Sequence, residues 1–429
     1  MQGPTLLLTL LSIGLTIVLV PSFLLMLLVT ASAFLPGLGR RRGSSATADV
    51  EIEPPRFLFL IPAHDEEEGI GKTVESCRAV AYDPQRFAVW VIADNCSDAT
   101  ARVARDAGAE VLERSDPSKK SKGYALEYAF AQLPINQYNA VVIVDADSLV
   151  SAELLDAFAE GLAKGNDWLQ CYDTVQNADA SWRTRLMTYA FSLINGVWLL
   201  GQDRLGLGAA LRGNGMCLST RGLARFPWRV YGLTEDVEFS WALRTAGERV
   251  GFVPRGQVLA EMLTRGGPAA AAQRQRWEAG RKQLRGLVLG PLLRSRKIGP
   301  FRKLAYLVEL LSPTLVGLTL LLLISASVHV WAEFDPQSLL LSKGLLPVHG
   351  LLTATLAAYA LSPFLLMGLP ARYALSLLAL PYYAAWKLAK TLGRRPTAWV
   401  RTRRETVAQR QEEGEGEGPA LAESIPTRR

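Results

Sequence analysis

Three sets of carboxylates in this 429-residue chain have the types and spacing to do chemistry. Asp145-Ala146-Asp147 sets two carboxylates at i and i+2, directly after the apolar run 140–144. Where a strand gives way to a turn, both can approach one point. Hard cations such as Mg2+ and Mn2+ take oxygen ligands, and Mg2+ commonly uses one or two carboxylates together with substrate phosphates. A departing diphosphate needs that countercharge. Acidic residues are common in turns, so this pair is weak evidence by itself. Asp94 closes a second apolar run, 87–93, and Asn95, Ser97 and Asp98 follow it. An Asx turn with Ser97 or Asp98 capping the next helix accounts for these residues equally well. Thr234-Glu235-Asp236 reads either as a helix cap with acidic first-turn residues or as the seat of a general base. Gly71-Lys72-Thr73 has the ending of a phosphate-binding loop, but that pattern needs glycine where Glu66 stands, so it is rejected.

The elements that must position these residues alternate. Apolar runs 56–62, 87–93, 109–113 and 140–144 read as strands, and 67–80, 98–107 and 121–133 carry helical spacing. Strand–helix alternation of this kind implies a mostly parallel sheet covered on both faces, with ligands beyond the carboxyl ends of its strands. Asp94, Asp145 and Asp147 fall at those ends.

The apolar residues, 49% of the chain, concentrate at its two ends. Residues 5–35 are almost wholly uncharged, long enough for a membrane anchor, and lack the basic start of a signal peptide. Arg40, Arg41 and Arg42 follow, which places the next domain on the cytoplasmic side. Residues 304–331 and 345–369 are two further candidate spans. Glu309, near one end of the first, is either functional or interfacial. Residues 371–392 are split by Pro381 and suit a helix lying in the interface, with Tyr382, Tyr383 and Trp386 at headgroup depth. The division expected is an anchor at 1–42, a cytoplasmic catalytic domain at 43–300 ending in an interfacial helix, two spans plus an interfacial helix at 301–393, and a basic, then disordered, tail at 394–429. The Glu-Gly stretch 412–418 lies in that tail. The location implied is the inner or plasma membrane, multi-pass.

Net charge is +7, and the arginines sit beside apolar stretches, which fits anionic lipid headgroups and not nucleic acid. Cys77, Cys96, Cys171 and Cys217 lack metal-ligand spacing and read as reduced thiols.

In order, Ile61-Pro62-Ala63-His64-Asp65-Glu66, Asp94, Asp145-Ala146-Asp147, Thr234-Glu235-Asp236 and Gln273-Arg274-Gln275-Arg276-Trp277 resemble the family 2 glycosyltransferases. The likeness is to the membrane branch, with cellulose, hyaluronan, chitin-type and poly-N-acetylglucosamine synthases, and covers roughly residues 55–285. It implies a GT-A fold and transfer of a sugar from a UDP-sugar to a polysaccharide or lipid-linked acceptor. Ala63, His64, Glu66 and Asp94 would hold the uridine, and Lys122 would sit near the donor. Asp145 and Asp147 would hold the diphosphate through Mg2+ or Mn2+, Asp147 the more directly. Asp236 would be the general base, in a Thr234-capped helix that begins with Glu235. Arg212, Gly213 and Asn214 would form a close-approach loop on the acceptor side. Gln273, Arg276 and Trp277 would line the place where diphosphate and acceptor meet, through a guanidinium fork and a flat ring. His64 stands where many relatives carry tyrosine, and Asn95 where a second Asp is common, so donor preference stays open. A channel for a polymer would need an oligomer or an export partner.

Product length separates a processive synthase from a single-transfer glycolipid enzyme. A membrane nucleotidyltransferase would need a glycine-rich, basic loop after the first strand, and Ala63 to Glu68 is acidic. A non-catalytic scaffold would have no use for the carboxylates.

Overall fold

The computed structural model describes residues 3–35, 53–232, 234–264, 284–333, 345–383 and 385. Its centre is an eight-stranded sheet of β1 (Phe57–Ala63), β2 (Phe87–Asp94), β3 (Glu110–Arg114), β4 (Ala140–Ile143), β5 (Ser148–Val150), β6 (Trp168–Val175), β7 (Met216–Ser219) and β8 (Val250–Ala260). The strand order is β3-β2-β1-β4-β7-β6-β8-β5. β1 to β4 run parallel, β7 reverses against β4 and β6, and β5 reverses against β8. The expected GT-A-type α/β domain with a mostly parallel sheet is therefore present.

The α-helices whose whole extent is described are, in chain order, α1 (Gly3–Phe34), α2 (Ile70–Arg78), α3 (Thr100–Asp106), α4 (Lys122–Gln132), α5 (Leu154–Ala163), α6 (Trp182–Phe191), α7 (Leu199–Arg204), α8 (Thr220–Arg225), α9 (Glu235–Thr245), α10 (Pro300–Leu311), α11 (Leu315–Glu333) and α12 (Leu346–Leu366). The alternation of strand side chains divides the core into two layers. Phe57, Phe59 and Ile61 pack with α2, α3 and α5 through Val74, Cys77, Ala104 and Phe158. Leu58 and Leu60 face the other way, onto Leu126 and Ala129 of α4, and that layer continues to Phe23 and Met26 of α1. Burial on both faces is why these strands read as unbroken apolar runs. The backbones of α1 and α7 come close at Gly201, where a Cβ would lie 2.1 Å from the Val29 carbonyl oxygen. Cys77, Cys171 and Cys217 are buried free thiols, and Cys96 is half-buried and free.

Among the described residues, two helices, Leu10–Phe34 and Leu346–Leu366, are long and apolar enough to cross a membrane, with a third span if α10 and α11 count as one. The continuous helix expected over 304–331 is not formed: α10 and α11 meet at 83°. The break is Ser312-Pro313-Thr314, and Pro313 drives Ser312 out of the helical region, to φ −57° and ψ 139°. The interfacial helix expected over 371–392 is, as far as Ala379, a 3-10 helix, Ala371–Ala379. Its Leu375 and Leu378 are 71% and 80% exposed, while Tyr373 is buried. Arg40–Arg42, Trp386 and the 394–429 tail lie outside the described residues.

Candidate active site

β1, β2 and β4 are parallel neighbours, so their carboxyl ends open on one edge of the sheet. Ala63 ends β1, and the ring of His64 makes a 2.7 Å hydrogen bond from Nδ1 to the carbonyl oxygen of Asp94. Asp65 and Asn95 have φ of 55° and 54°, the non-glycine residues of positive φ among the described residues. Asp and Asn tolerate that region best, and such backbone often marks a functional edge. Asn95 in place of a second Asp thus has a local cause. Its side chain donates to Asp94 Oδ1 at 3.0 Å and accepts from the Asp116 N–H at 2.8 Å. The Glu66 N–H donates to Thr100 Oγ1 at 2.7 Å, which seats the loop on the start of α3.

Asp94 pairs with Arg114, the last residue of β3 and its register partner. Burial pushes the Asp94 carboxyl up, and the Arg114 guanidinium opposes that push. A cavity of about 380 Å3 opens beside this pair, lined by His64, Asn95, Cys96, Arg114 and Lys120 among others.

A second group forms where β4 ends. Lys122, the first residue of α4, reaches the Asp145 carboxylate and donates to the Gly213 carbonyl oxygen at 2.7 Å. The Asn214 side chain accepts the Asp145 N–H at 3.0 Å and donates to Ser148 Oγ at 2.9 Å and to Asp173 Oδ1 at 3.3 Å. Gln170 accepts the Arg212 N–H at 2.8 Å and donates to the Asn214 carbonyl at 2.7 Å. The loop 212–214 is thereby held against the turn that carries Asp145 and Asp147. Gly213, at φ 84°, faces Asp236, and a Cβ there would lie 3.1 Å from Asp236 Oδ2. Glycine is required at this close approach.

Asp236 and Glu235 open α9. Thr234 stands at the cap position, but its side chain makes no cap hydrogen bond, contrary to expectation. Its φ of −137° and ψ of 57° are not the β-region values typical of a side-chain cap. Burial pushes the Glu235 carboxyl up to about 7, helped by the nearby Asp236 charge, and also raises Asp236. The Lys122 ammonium opposes both shifts. The Asp173 carboxyl is pushed well above its usual range by burial, with Asp145 and Asp147 adding to the effect.

Asp145, Asp236, Glu235, Lys122, Gly213, Asn214 and Arg212 are therefore brought together, and Asp147 shares the turn with Asp145. Ala63, His64, Glu66 and Asp94 group one to two strands away. Gln273, Arg276 and Trp277 lie outside the described residues. The sequence reading missed Arg114, Gln170 and Asp173. Arg114 follows the apolar run 109–113, but only the β2–β3 pairing identifies it as the partner of Asp94. Asp173 lies within β6, which is buried along its whole length, and its partners become visible only in the fold.

This sheet, with its acidic carboxyl edge, is a GT-A-type glycosyltransferase domain. Residues 54–280 match the family model described as "Glycosyltransferase like family 2", and the chain belongs to that family. It is 27% identical over 244 residues to a beta-monoglucosyldiacylglycerol synthase from Synechocystis sp., covering 54% of this chain and 50% of that protein. It is 31% identical over 120 residues to the low-salt glycan biosynthesis hexosyltransferase Agl6 of Haloferax volcanii, covering 28% of this chain and 27% of that one. The chain spans about half the length of the synthases it matches. The fold is similar to that of the mannosyltransferase PcManGT from Pyrobaculum calidifontis, solved with GDP-Man and Mn2+. That likeness has a TM-score of 0.54 and 16% identity, covering 90% of this chain and 99% of that chain.

Proposed function

We propose that the protein transfers a single sugar from a nucleotide-diphosphate sugar to a lipid acceptor at a membrane surface, with inversion. The observation that carries this reading is the meeting of Lys122, Asp145, Glu235 and Asp236 beside Gly213 at the carboxyl edge of the sheet. The glycolipid acceptor is supported by the beta-monoglucosyldiacylglycerol synthases among the relatives. A β product from an α-linked donor requires inversion.

Ala63, His64, Glu66 and Asp94 bind the nucleotide, the base lying in the cavity beside Arg114. Asp145 and Asp147 suit Mg2+ or Mn2+: they offer oxygen donors only, and their joint negative field raises the carboxyl of Asp173 behind them. When bound, the cation supplies countercharge to the leaving diphosphate. Lys122 adds a second positive charge on the same side. Asp236 takes the proton from the acceptor hydroxyl, and Glu235 beside it tunes the field that Asp236 feels. Arg212, Gly213 and Asn214 bound the acceptor side, and the family resemblance assigns Gln273, Arg276 and Trp277 to the same role. The long apolar helices support association with a membrane, and in this reading the domain lies at its cytoplasmic face, close to the acceptor.

The test is a nucleotide-release assay on the purified protein with Mn2+, diacylglycerol, a panel of UDP-sugars and GDP-mannose, followed by product analysis. A discrete glycolipid supports the reading. A polymer ladder would replace single transfer by processive synthesis, with an oligomer or export partner to follow. Release from no donor would defeat the enzyme assignment.

A further inference from the structure

Helix α9 carries Asp236 in its first turn and Arg244 near its last, about 12 Å apart at ~1.5 Å rise per residue. Arg244 is only 2% exposed. Its guanidinium lies 5.0 Å from the ring centre of Trp241 and 4.9 Å from that of Tyr306 on α10. It donates from Nη1 to Glu309 Oε2 and from Nη2 to Gln202 Oε1, each at 3.1 Å. Gln202 in turn donates to Glu309 Oε2 at 2.8 Å. These three side chains close a ring across α9, α7 and α10.

The rest of α10 is fixed from outside the ring. The Tyr306 hydroxyl donates to the Leu207 carbonyl. Arg285 donates from Nε to the Leu310 carbonyl at 3.0 Å, and Ser312 at the bend shares a 2.7 Å hydrogen bond with Ser22 of α1. The opposite face of α10 presents Phe301, Leu304 and Leu311, each more than half exposed. One face of this short helix is therefore apolar and unburied, and the other grips the helix of the proposed base.

A buried ion pair adds little stability over a well-packed apolar contact, but breaking one partner is costly, and such pairs can select one arrangement. Within the ring, Arg244 has one carboxylate to meet, at one height and one rotation of α9. At the other end of α9, Asp236 packs closely against Gly213, where a Cβ would lie 3.1 Å from Asp236 Oδ2. A shift of the helix moves the carboxylate against both Lys122 and the acceptor loop.

We propose that Glu309 is a positioning residue: through Arg244 it sets the placement of α9, and thereby that of Asp236, during sugar transfer. This rests on the assignment of Asp236 as base.

The test uses the full chain in detergent micelles, with Mn2+, UDP-glucose and diacylglycerol for turnover and UDP as the binding probe. Glu309→Gln is expected to lower kcat about 10- to 100-fold, the scale of an ångström-level misplacement. Donor KM and UDP affinity should stay within about twofold, because the nucleotide side is untouched. Glu309→Asp keeps the charge on a shorter side chain and should give an intermediate kcat. If Glu309→Gln does not fold, that variant decides alone, and wild-type kcat in it overturns the proposal. Asp179→Asn removes the exposed Asp179–Arg372 pair, another link between the sheet domain and the C-terminal helices, and should behave as wild type. The proposal is overturned if Glu309→Gln turns over normally. It is also overturned if kcat, UDP affinity and melting temperature fall and donor KM rises together, without recovery in Glu309→Asp. Full turnover by Asp236→Asn would remove the base assignment itself. An inactive Asp236→Asn beside a normal Glu309→Gln would remove the positioning role alone.

Discussion

The two acidic clusters at the carboxyl edge of the sheet are built in opposite ways. Asp94 has its own cation: Arg114 pairs with it, and the Asn95 amide donates to the same oxygen. Beyond β4, five carboxyls (Asp145, Asp147, Asp173, Glu235 and Asp236) meet, among the described residues, the charges of Lys122 and Arg212. The first cluster is balanced and its geometry is fixed before any ligand arrives, which serves affinity. The second is crowded with one sign of charge, and burial drives the carboxyls of Asp173, Glu235 and Asp236 upward in pKa, the usual condition of groups that trade protons or bind cations. In the proposed reading, one half of the cleft holds the donor and the other reacts with it.

Substitutions that touch only one cluster should separate binding from turnover. The largest effect is expected from Asp236→Asn, which keeps the shape beside Gly213 but removes the proposed base. Turnover should fall about 10²- to 10⁴-fold, with UDP affinity within about twofold of wild type, read from steady-state kinetics and calorimetric titration. A comparable loss of UDP affinity would put Asp236 on the nucleotide side and blur the division. Asp147→Ala should weaken the metal-dependent part of UDP binding by at least about 10- to 100-fold, the loss typical even of residues that only support metal ligands. Titration of UDP with and without Mn2+ checks it, and the metal-free affinity should not change.

Much of this division was legible in the chain. Each apolar run that ends in an acid marks a strand exit, and the register of β1, β2 and β4 turns that local pattern into a shared edge. What could not be read is what depends on neighbours far along the chain. Arg114 closes its own strand as plainly as Asp94 does, but only the β2–β3 pairing makes them partners. Asp173 hides within an apolar strand, and its meaning comes from Asn214, 41 residues later. The run 304–331 passes every test of length and apolarity for a span, yet one proline turns it through 83°. Glu309 left two readings open because its partner, Arg244, sits 65 residues earlier on a helix of the sheet domain.

Arg114→Gln tests the balanced cluster. It keeps some hydrogen bonding but leaves Asp94 buried without its counter-charge. A lost hydrogen bond to a charged group, with its desolvated partner left behind, should lower UDP affinity about tenfold. The kcat at saturating donor should stay within about twofold, the mirror image of Asp236→Asn. If Arg114→Gln lowers kcat at constant UDP affinity, the two clusters are not divided as described.

The smallest effect concerns stability in the crowded cluster. Burial raises Glu235 from 4.5 to about 7 in the folded chain, so between those values the folded state holds more protons than the unfolded one. Its contribution to stability therefore falls as pH rises from about 4.5 to about 7, and stays reduced above that. Glu235→Gln removes the charge and the penalty with it. Measured without nucleotide or divalent cation, the variant should melt about 2–4 °C higher than wild type at pH 8. The difference should shrink through the same window and vanish below pH 4.5, where wild-type Glu235 is protonated in both states. A crowded site that becomes more stable when one of its acids is neutralised is strained for function, and the variant should lose turnover as it gains stability. Equal melting temperatures across the pH range would mean that Glu235 is not under electrostatic tension.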